Sequence, residues 1–437
     1  MSIFKAYDIR GIYGTELTED IAEKIGRALT VFLDTKKIVI GYDMRPHSKP
    51  LFDAMSHGIT DQGVDVIDLG MCSTPMTYFG NGFLGADASV IITASHNPAE
   101  YNGMKLCREQ AIPISGATGI KDIEKLVLEN NFPASDKKGT VEKHDISEEY
   151  KKHLRSFIKF SKKPKIVVDY ANSMGLKEIE GLTDLFDITP MYDEYDGTFP
   201  NHEANPLKLD TLDAIRAKVL EVGADFGVAY DGDADRSGFI DDNGEIIPMD
   251  MTTAIIAQDI LQSGPATILY DLRSSWAVRE CIEDAGGKAI MSRVGHAFIK
   301  AQMRENDAVF AGELSGHYYF KENYTAESQG LALIMIANVL EKSGKKLSEI
   351  VAPLKKYFSS GEVNSEVEDK EGVIAELKKN YADGKLFELD GVSVEFDDWW
   401  FNVRPSNTEP YLRLIVEAKT KQKMEEKLSE LLSYIRK

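Results

Sequence analysis

Ser95 is a residue whose type and setting could do covalent chemistry. It follows the apolar run Ser89–Thr93, which predicts a buried strand, and an Asn-Pro step then takes the chain out of regular structure. α/β proteins place ligands at such strand ends. Donors that could hold a phosphate on a hydroxyl nucleophile follow in the sequence: His96, Asn97, Asn102 and Lys105. From composition alone, a polar turn with a solvated serine is an equally good interpretation, and no Gly-x-Ser-x-Gly elbow indicates a serine hydrolase.

A second segment predicts a metal site. A strand over Asp225–Tyr230 leads into Asp231, Asp233 and Asp235, whose carboxylates alternate on a tight loop. Three such carboxylates repel one another without a cation, and Mg²⁺ fits if phosphate oxygens complete its ligands. Arg236 could offer a two-pronged guanidinium to the same phosphate. A calcium loop is the competing interpretation, but it requires a preceding helix and a glycine where Arg236 stands.

Two further segments could bind a sugar phosphate. In VFAGELSGHYYF, Glu313, Ser315 and His317 alternate, so in an extended stretch they would share one face and suit vicinal hydroxyls. An ordinary half-exposed strand is the competing interpretation. Between two later strands, a turn predicts a phosphate cradle, although a plain β-turn has the same composition. Its residues are Arg404, Ser406, Asn407 and Thr408, with Arg413 adding charge. Other basic candidates are Arg10 in YDIRG, Arg273 in YDLRSS, and Arg293 and His296 in SRVGHAFIK.

The elements that must position these residues recur along the chain. Short apolar strands at Ile38–Ile40, Ile166–Val168 and Ile268–Tyr270 are each followed by a polar stretch, an amphipathic helix and a second strand. Alternating strands and helices predict an α/β fold, with three related domains and mixed sheets. After about residue 357 the pattern changes to that of a small α+β domain with an antiparallel sheet. The predicted domains are residues 1–145, 146–242, 243–357 and 358–437, and the turn Asp241–Glu245 separates the second from the third.

Composition limits the classes of partner. The net charge is -20, which argues against a nucleic-acid binder and requires a local basic cluster for any anionic substrate. The three cysteines are far apart, as a reducing compartment permits, and form no metal motif. No apolar signal region and no run of 18 apolar residues is present, so we expect a cytoplasmic protein without a membrane partner. A monomer or a homodimer is expected.

Four of these segments occur in a familiar order: TASHNP, DGDADR, GELSGH and RPSNTEP. Together they resemble the α-D-phosphohexomutase superfamily over essentially the whole chain. YNGMK after the first motif and Asn407 in the last are similar to the phosphomannomutase/phosphoglucomutase type, since phosphoglucosamine mutases usually have glycine at the Asn407 position. The resemblance implies three α/β domains and one α+β domain around a central cleft. The chain departs from the family at Asn172–Gly175 and at TAESQG (Thr325–Gly330), which bears on local sugar contacts.

The resemblance also implies roles. Ser95 would be a phosphoserine, and its phosphate would join Asp231, Asp233 and Asp235 around one Mg²⁺. Arg10 and Lys105 would line the reacting site, where an acid/base pair is needed, and His96 and Arg236 are the further catalytic candidates beside them. Glu313 and Ser315, with His317 close by, would bind the sugar hydroxyls. The phosphate that is not reacting would be held by Arg404, Ser406, Asn407 and Thr408.

The implied reaction interconverts hexose 1-phosphate and hexose 6-phosphate, of mannose, glucose or both, through a hexose 1,6-bisphosphate. A phosphoglucosamine mutase is one alternative. A magnesium-dependent sugar phosphatase and a non-catalytic sugar-phosphate-binding protein are two others. Four phosphate-contacting segments argue against the phosphatase, which needs only one phosphate site.

Overall fold

The computed structural model describes residues 3–406 and 411–436. Along this part of the chain, four β-sheets follow one another, and we call the portions that contain them units I to IV. None of the helices described is both long and apolar enough to cross a membrane.

Unit I contains a six-stranded mixed sheet. Its elements are β1 (Ile9–Ile12), α1 (Glu19–Leu33), β2 (Lys37–Tyr42), α2 (Ser48–Asp61), β3 (Asp65–Met71), α3 (Thr74–Phe83), β4 (Ala88–Ile92), β5 (Tyr101–Arg108), α4 (Lys121–Glu129) and β6 (Val141–Lys143). The strand order is β1-β5-β4-β2-β3-β6. Strand β2 pairs in parallel with both β3 and β4, while β5 runs antiparallel to both of its neighbours.

Units II and III repeat the central part of this arrangement. Unit II contains α5 (Ser147–Arg155), β7 (Lys165–Asp169), α6 (Gly175–Glu178), β8 (Asp187–Met191), α7 (Asp213–Val222), β9 (Phe226–Tyr230), β10 (Ser237–Ile240) and β11 (Ile246–Ile247). Unit III contains α8 (Met249–Leu261), β12 (Thr267–Asp271), α9 (Trp276–Asp284), β13 (Lys288–Ser292), α10 (His296–Glu305), β14 (Phe310–Gly312), β15 (Tyr318–Phe320), β16 (Ala326–Glu327), α11 (Gln329–Ser343) and α12 (Leu347–Val351).

In each of the first three units, one strand lies between two parallel neighbours, and an antiparallel strand follows on one side. The sheet orders β8-β7-β9-β10-β11 and β13-β12-β14-β15-β16 match the order β3-β2-β4-β5-β1 of unit I. The prediction of three related α/β units with mixed sheets is therefore confirmed. The turn Asp241–Glu245, which the sequence places between two domains, connects β10 and β11 of one sheet.

Unit IV has an antiparallel sheet and two helices, as predicted. Its elements are β17 (Phe358–Ser359), β18 (Val363–Glu366), α13 (Lys370–Asn380), β19 (Lys385–Phe387), β20 (Val392–Glu395), β21 (Trp399–Pro405), β22 (Tyr411–Ala418) and α14 (Lys421–Ile435). Strands β17 and β18 both pair with β22. The sheet then continues through β21 and β20 to β19.

The first three units and the fourth differ in how their cores are built. One buried apolar cluster runs from Val39 of unit I through unit II to Leu354 of unit III. Unit IV has a cluster of its own, packed between its sheet and its helices. A small group of Trp276, Trp400 and Ile415 joins unit IV to unit III. Units I to III are thus one packed body, to which unit IV is joined by a smaller interface that also includes the ion pair of Arg279 with Glu395.

Candidate active site

Ser95 lies just beyond the end of β4 and is buried, with 1% of its surface exposed. Its hydroxyl donates to Asp231 Oδ2 at 2.9 Å and lies 3.2 Å from His96 Nδ1. The backbone of Ser95 has φ +52°, a left-handed conformation that residues other than glycine adopt uncommonly. The surrounding structure must therefore hold this loop in place.

Arg45 holds the Ser95 loop, and we did not predict it from the sequence. Its side chain is fully buried, and Nε pairs with Asp43 Oδ2 at 3.2 Å. Its two terminal nitrogens donate at 2.7–3.0 Å to four backbone carbonyls, those of Ser95, Asn97, Pro98 and Tyr101. Both members of the pair follow β2, the strand beside β4. An available signal was the Asp-x-Arg spacing, which Asp271 and Arg273 repeat in unit III.

The three predicted metal ligands converge beside Ser95. Asp231, Asp233 and Asp235 follow β9, are buried, and each offer one oxygen within 4.8 Å of the others. A Cβ on Gly232 would lie 2.2 Å from the carbonyl oxygen of Ser95, so only glycine permits this approach of the two loops. Asp233 Oδ1 is buried without a hydrogen-bond partner among the described residues. Buried carboxylates with an unused oxygen fit the hard oxygen ligands that Mg²⁺ prefers.

Lys105 lies among these carboxylates, as predicted for a residue of the reacting site. Its Nζ is 2.6 Å from Asp233 Oδ2 and also contacts Asp235. Burial alone would lower the pKa of Lys105, but Asp233 and Asp235 outweigh it and raise the pKa. Thr74, at the start of α3, donates to Asp233 at 2.5 Å. No local sequence signal marked Thr74.

Arg10, His96 and Arg236 surround the same point. Arg10 Nη1 donates to the Asn97 side chain at 2.6 Å. Arg236 Nε lies 3.8 Å from Asp231 Oδ2. Burial, with the charges of Arg236 and Arg10, holds the pKa of His96 well below its ordinary value. A neutral imidazole and two guanidiniums therefore face the Ser95 region.

The GELSGH segment is a turn, so the expected extended conformation was wrong. Strands β14 and β15 are antiparallel neighbours, and the residues between them must reverse the chain. Gly316 N donates to Glu313 O at 2.9 Å, and Gly316 has φ +85°. The three predicted side chains still converge, because His317 Nδ1 lies 2.9 Å from both Glu313 Oε2 and Ser315 Oγ.

His317 and Glu313 carry opposite charges. Burial disfavours the charged imidazole, but Asp235, 3.5 Å from Nε2, and Glu313 outweigh it and raise the pKa of His317 to about 9. Burial would likewise raise the pKa of Glu313, but His317 and Arg273 lower it well below its ordinary value. A charged donor and a charged acceptor are thus available to a bound ligand.

Arg273 connects this turn to its own strand end. It follows β12, and Nη2 lies 2.7 Å from Asp271 Oδ2 and 3.5 Å from Glu313 Oε1. Gly295 N, 3.3 Å from Glu313 Oε1, joins the neighbouring loop to the same carboxylate. That loop contains Arg293, whose guanidinium lies 3.8 Å from the Phe298 ring centre. His296, the other predicted residue, begins α10 directly after it, and its ring lies 5.9 Å from the Tyr7 ring.

The predicted phosphate cradle lies on β21 and β22, where Arg404 and Arg413 are paired across the strands. Arg413 Nη2 is 3.4 Å from Ser406 Oγ. Glu362, which the sequence did not indicate, accepts from Arg404 Nη2 at 2.6 Å and from Arg413 Nη1 at 3.3 Å. Asn407 and Thr408 lie outside the described residues.

Polar contacts run from Ser95 to Arg404 and touch all four units. The steps are Ser95–Asp231 (2.9 Å), Asp231–Arg236 (3.8 Å), Arg236–Asp235 (3.9 Å), Asp235–His317 (3.5 Å), His317–Glu313 (2.9 Å), Glu313–Arg273 (3.5 Å), Arg273–Glu362 (3.8 Å) and Glu362–Arg404 (2.6 Å). The nucleophile candidate and the phosphate cradle therefore belong to one continuous polar surface.

Known families and proteins match this chain along its length. Models of the phosphoglucomutase/phosphomannomutase α/β/α domains I, II and III match residues 1–134, 148–244 and 248–357, and the C-terminal domain model matches 362–432. A phosphomannomutase from Methanocaldococcus jannaschii is 44% identical over 100% of this chain and 98% of that protein.

Solved structures agree. A phosphoglucomutase/phosphomannomutase family protein from Burkholderia thailandensis superposes with a TM-score of 0.92 at 30% identity, covering 99% of this chain and 97% of that one. An Aspergillus fumigatus N-acetylphosphoglucosamine mutase, solved with GlcNAc-6P and magnesium, shares the fold at a TM-score of 0.61 and 17% identity, over 83% of this chain and 91% of that one. The chain belongs to the phosphoglucomutase/phosphomannomutase family and is a phosphotransferase of the mutase class.

Proposed function

We propose that this enzyme interconverts hexose 1-phosphate and hexose 6-phosphate through a phosphorylated Ser95 and a hexose 1,6-bisphosphate. The observation that carries the proposal is that two groups of phosphate-binding side chains lie on one polar surface. One surrounds Ser95, and the other contains Arg404, Ser406 and Arg413. A mutase substrate needs a place for each of two phosphates, whereas a phosphatase needs only one.

In the proposed reaction, a free hydroxyl of the bound sugar attacks the phosphorus on Ser95. A new sugar O–P bond forms, the Ser95 Oγ–P bond breaks, the hydroxyl proton passes to a neighbouring base, and Ser95 Oγ takes up a proton. Arg10 and Lys105 are our candidates for the acid and the base, and His96, 3.2 Å from Ser95 Oγ, lies beside the leaving oxygen. Arg10, Lys105 and Arg236 contribute positive charge around the transferring group, where phosphoryl transfer depends on positioning and charge neutralisation.

The bisphosphate then turns end for end, and its other phosphate returns to Ser95. During each half of the cycle, Arg404, Ser406 and Arg413 hold the phosphate that is not reacting. The predicted Asn407 and Thr408 would belong to this cradle. His317 and Glu313 offer a charged donor and acceptor to the sugar hydroxyls, with Ser315 beside them. We also assign Arg273, Arg293 and His296 to the part of the site that binds the sugar hydroxyls.

One Mg²⁺ would be held by Asp231, Asp233 and Asp235, with an oxygen of the Ser95 phosphate as a further ligand. When bound, it would neutralise negative charge on that phosphate. Support comes from the buried carboxylates and from the magnesium in the structure of the Aspergillus fold neighbour. Because water could hydrolyse the phosphoserine, this chain's part is to bury the three carboxylates and to keep water away from Ser95.

We favour mannose or glucose as the sugar, because the 44% identical relative is a phosphomannomutase and because Asn407 stands in the last motif. A glucosamine ester is the second candidate.

The net charge of -20 supports a small-molecule substrate over nucleic acid. The cysteines are buried free thiols, which supports the cytoplasm as the location.

The test is to replace the nucleophile. Intact-mass analysis should find one covalent phosphate on the natural protein and none on Ser95→Ala. With Mg²⁺ and a trace of glucose 1,6-bisphosphate, the variant should lose at least about 100-fold in kcat. Ser89→Ala is the matched control, because Ser89 is a buried serine of the same segment, on β4. Normal turnover by Ser95→Ala would contradict the proposal.

The sugar is assigned in the same assay by comparing mannose 1-phosphate, glucose 1-phosphate and glucosamine 1-phosphate, with released phosphate followed in parallel. Conversion of the mannose or glucose ester without phosphate release is the expected result. Conversion of the glucosamine ester alone would move the enzyme to the second candidate. Phosphate release without isomer formation would make it a phosphatase.

A further inference from the structure

Glu362 lies at the centre of the arginines that we assign to the distal phosphate. One carboxylate oxygen accepts from Arg404 at 2.6 Å, and the other accepts from Arg413 at 3.3 Å. Arg273 of unit III lies 3.8 Å from the first oxygen. Ser406, another residue of the predicted cradle, contacts Arg413 at 3.4 Å. A protein carboxylate therefore stands among the groups expected to bind the substrate's anion.

An irregularity in the sheet aims Glu362 at this point. Ser359 pairs with Glu417, but Val363 pairs with Leu414, so β17 to β18 advances four residues while β22 advances three. The extra residue is a β-bulge, a feature that re-aims a side chain and is common beside active sites. Gly361, with φ +64°, lies in this bulge. Glu362 is 23% exposed at its side chain, so solvent reaches it.

Glu362 carries a negative charge beside the two arginines that would bind the phosphate. Burial would raise the pKa of Glu362, but Arg404 and Arg273 outweigh it and lower the pKa, so the side chain is an anion at neutral pH. It offsets one of the two positive charges of Arg404 and Arg413. A phosphate that binds both arginines must share them with Glu362 or displace it, and the two anions repel each other.

We propose that Glu362 is a positioning residue that takes the place of the distal phosphate when the cradle is empty and weakens the cradle's hold when it is full. This inference rests on the proposed function, in which the bisphosphate must leave the cradle and turn. A carboxylate that takes up Arg404 as the phosphate departs gives this buried guanidinium an anionic partner. Arg273 gives the same carboxylate a contact with unit III.

The test measures binding separately from turnover. Glucose 6-phosphate is titrated by calorimetry into protein with Ser95→Ala, alone and combined with Glu362→Gln. We expect Glu362→Gln to bind glucose 6-phosphate about fivefold more tightly, because a like charge beside the phosphate is removed. Glucose, which has no phosphate, should bind equally to both proteins. Glu368→Gln is the matched control, because it removes one negative charge from an exposed position of the same unit.

Weaker or unchanged binding of glucose 6-phosphate by Glu362→Gln would overturn the inference, since a residue that only holds the arginines in place would weaken binding when lost. Glu362→Asp keeps the charge but withdraws it by one methylene, and its affinity should fall between the other two. In protein with Ser95 intact, Glu362→Gln should lower KM and kcat together, because the phosphate leaves more slowly. If Ser95 proves not to be phosphorylated, the proposed function fails, but the binding result still decides the role of Glu362.

Discussion

Units I and III use the same pair of residues for two different tasks. In both, an aspartate at the end of the central strand pairs with an arginine two positions later, Asp43 with Arg45 and Asp271 with Arg273. In both, the arginine or its aspartate reaches the loop that follows the next parallel strand. Arg45 reaches the loop of Ser95, and Asp271 accepts from Leu314 N at 2.7 Å in the GELSGH turn.

The partners of the two arginines differ. The terminal nitrogens of Arg45 are occupied by four backbone carbonyls of its own unit. Arg273 instead faces two carboxylates besides Asp271: Glu313 at 3.5 Å and Glu362 at 3.8 Å, the second belonging to unit IV. Backbone carbonyls are neutral and fixed by the fold. Side-chain carboxylates are charged, and an arginine that binds one can exchange it for a phosphate. The pair in unit I is suited to rigidity, and the pair in unit III to a contact that changes.

The body of the molecule supports the same distinction. Glu178 of unit II accepts from Ser73 of unit I at 2.6 Å and from Gly330 N of unit III at 2.9 Å, inside the shared core. Unit IV meets unit III through a few apolar residues and the charged contact of Arg273 with Glu362. Trp276 and Arg279 of unit III also donate to Glu417 and Glu395 of unit IV. The large shared core therefore lies around the nucleophile, and a smaller, more polar interface lies beside the distal phosphate.

Replacing Arg45 by Met should have the largest effect. It removes the hydrogen bonds that hold the Ser95 loop and leaves the buried Asp43 without its charge partner. We expect a loss of about 3–5 kcal/mol in the free energy of unfolding, by denaturant titration. In folded protein, we expect kcat to fall about 100-fold, because the nucleophile is displaced. Arg108→Met, which removes an arginine elsewhere in unit I, is the control. Normal kcat in Arg45→Met would mean that the Ser95 loop keeps its conformation without Arg45.

Replacing Arg273 by Met should have a smaller effect of another kind. Asp271 keeps its backbone donors, Arg273 N and Leu314 N, both at 2.7 Å, so we expect a loss of about 2 kcal/mol in unfolding free energy. KM for glucose 1-phosphate should rise about tenfold, because the part of the site that binds the substrate loses a cation. Phosphate on Ser95, measured by intact mass, should be unchanged. An Arg273→Met variant with little phosphate on Ser95 and a normal KM would mean that Arg273, like Arg45, acts on Ser95 and not on substrate binding.

The sequence predicted the parts of this fold that depend on neighbouring residues. Apolar runs gave the strands that end at Ser95 and Asp231, and the change of pattern near residue 357 predicted unit IV. The convergence of the four motifs followed from the resemblance, because no local pattern brings Ser95 to Asp231 across 136 positions. The family resemblance did not supply the supporting residues. Arg45 acts on Ser95 from 50 positions away, and Thr74 on Asp233 from 159.

Glu313 and Glu362 show two other limits. Alternation in GELSGH predicted that three side chains share a face, but the turn was missed because a strand and a tight reversal can both place residues i and i+4 on one side; only the reversal brings them into contact. Glu362 was missed because its role depends on a bulge, and a bulge is defined by the register of a partner strand some 50 residues later. Both limits arise where strand pairing, not local propensity, decides the direction of a side chain.

In unit II the central strand also ends in an aspartate, Asp169, but no arginine stands two positions later. Replacing its partner should therefore have the smallest effect of the three units. Ala171 stands there, and His202 fills the role instead, with Nε2 3.0 Å from Asp169 Oδ2 and Nδ1 2.8 Å from the carbonyl of Glu203. Burial would lower the pKa of His202, but Asp169 outweighs it and raises the pKa above the ordinary 6.5. The folded state therefore favours the protonated imidazole, which donates to both acceptors.

A raised pKa in the folded state fixes the sign of the pH dependence. The contribution of His202 is fully present below its ordinary pKa of 6.5 and is lost as the pH rises through the raised value. We expect His202→Gln to lower the unfolding free energy by about 1 kcal/mol at pH 5.5 and by less at pH 8.5, in parallel denaturant titrations. Arg45→Met should show no such trend, because an arginine stays charged across this range. A difference for His202→Gln that grows with pH would mean that the imidazole is neutral in the folded protein and that unit II anchors its aspartate in another way.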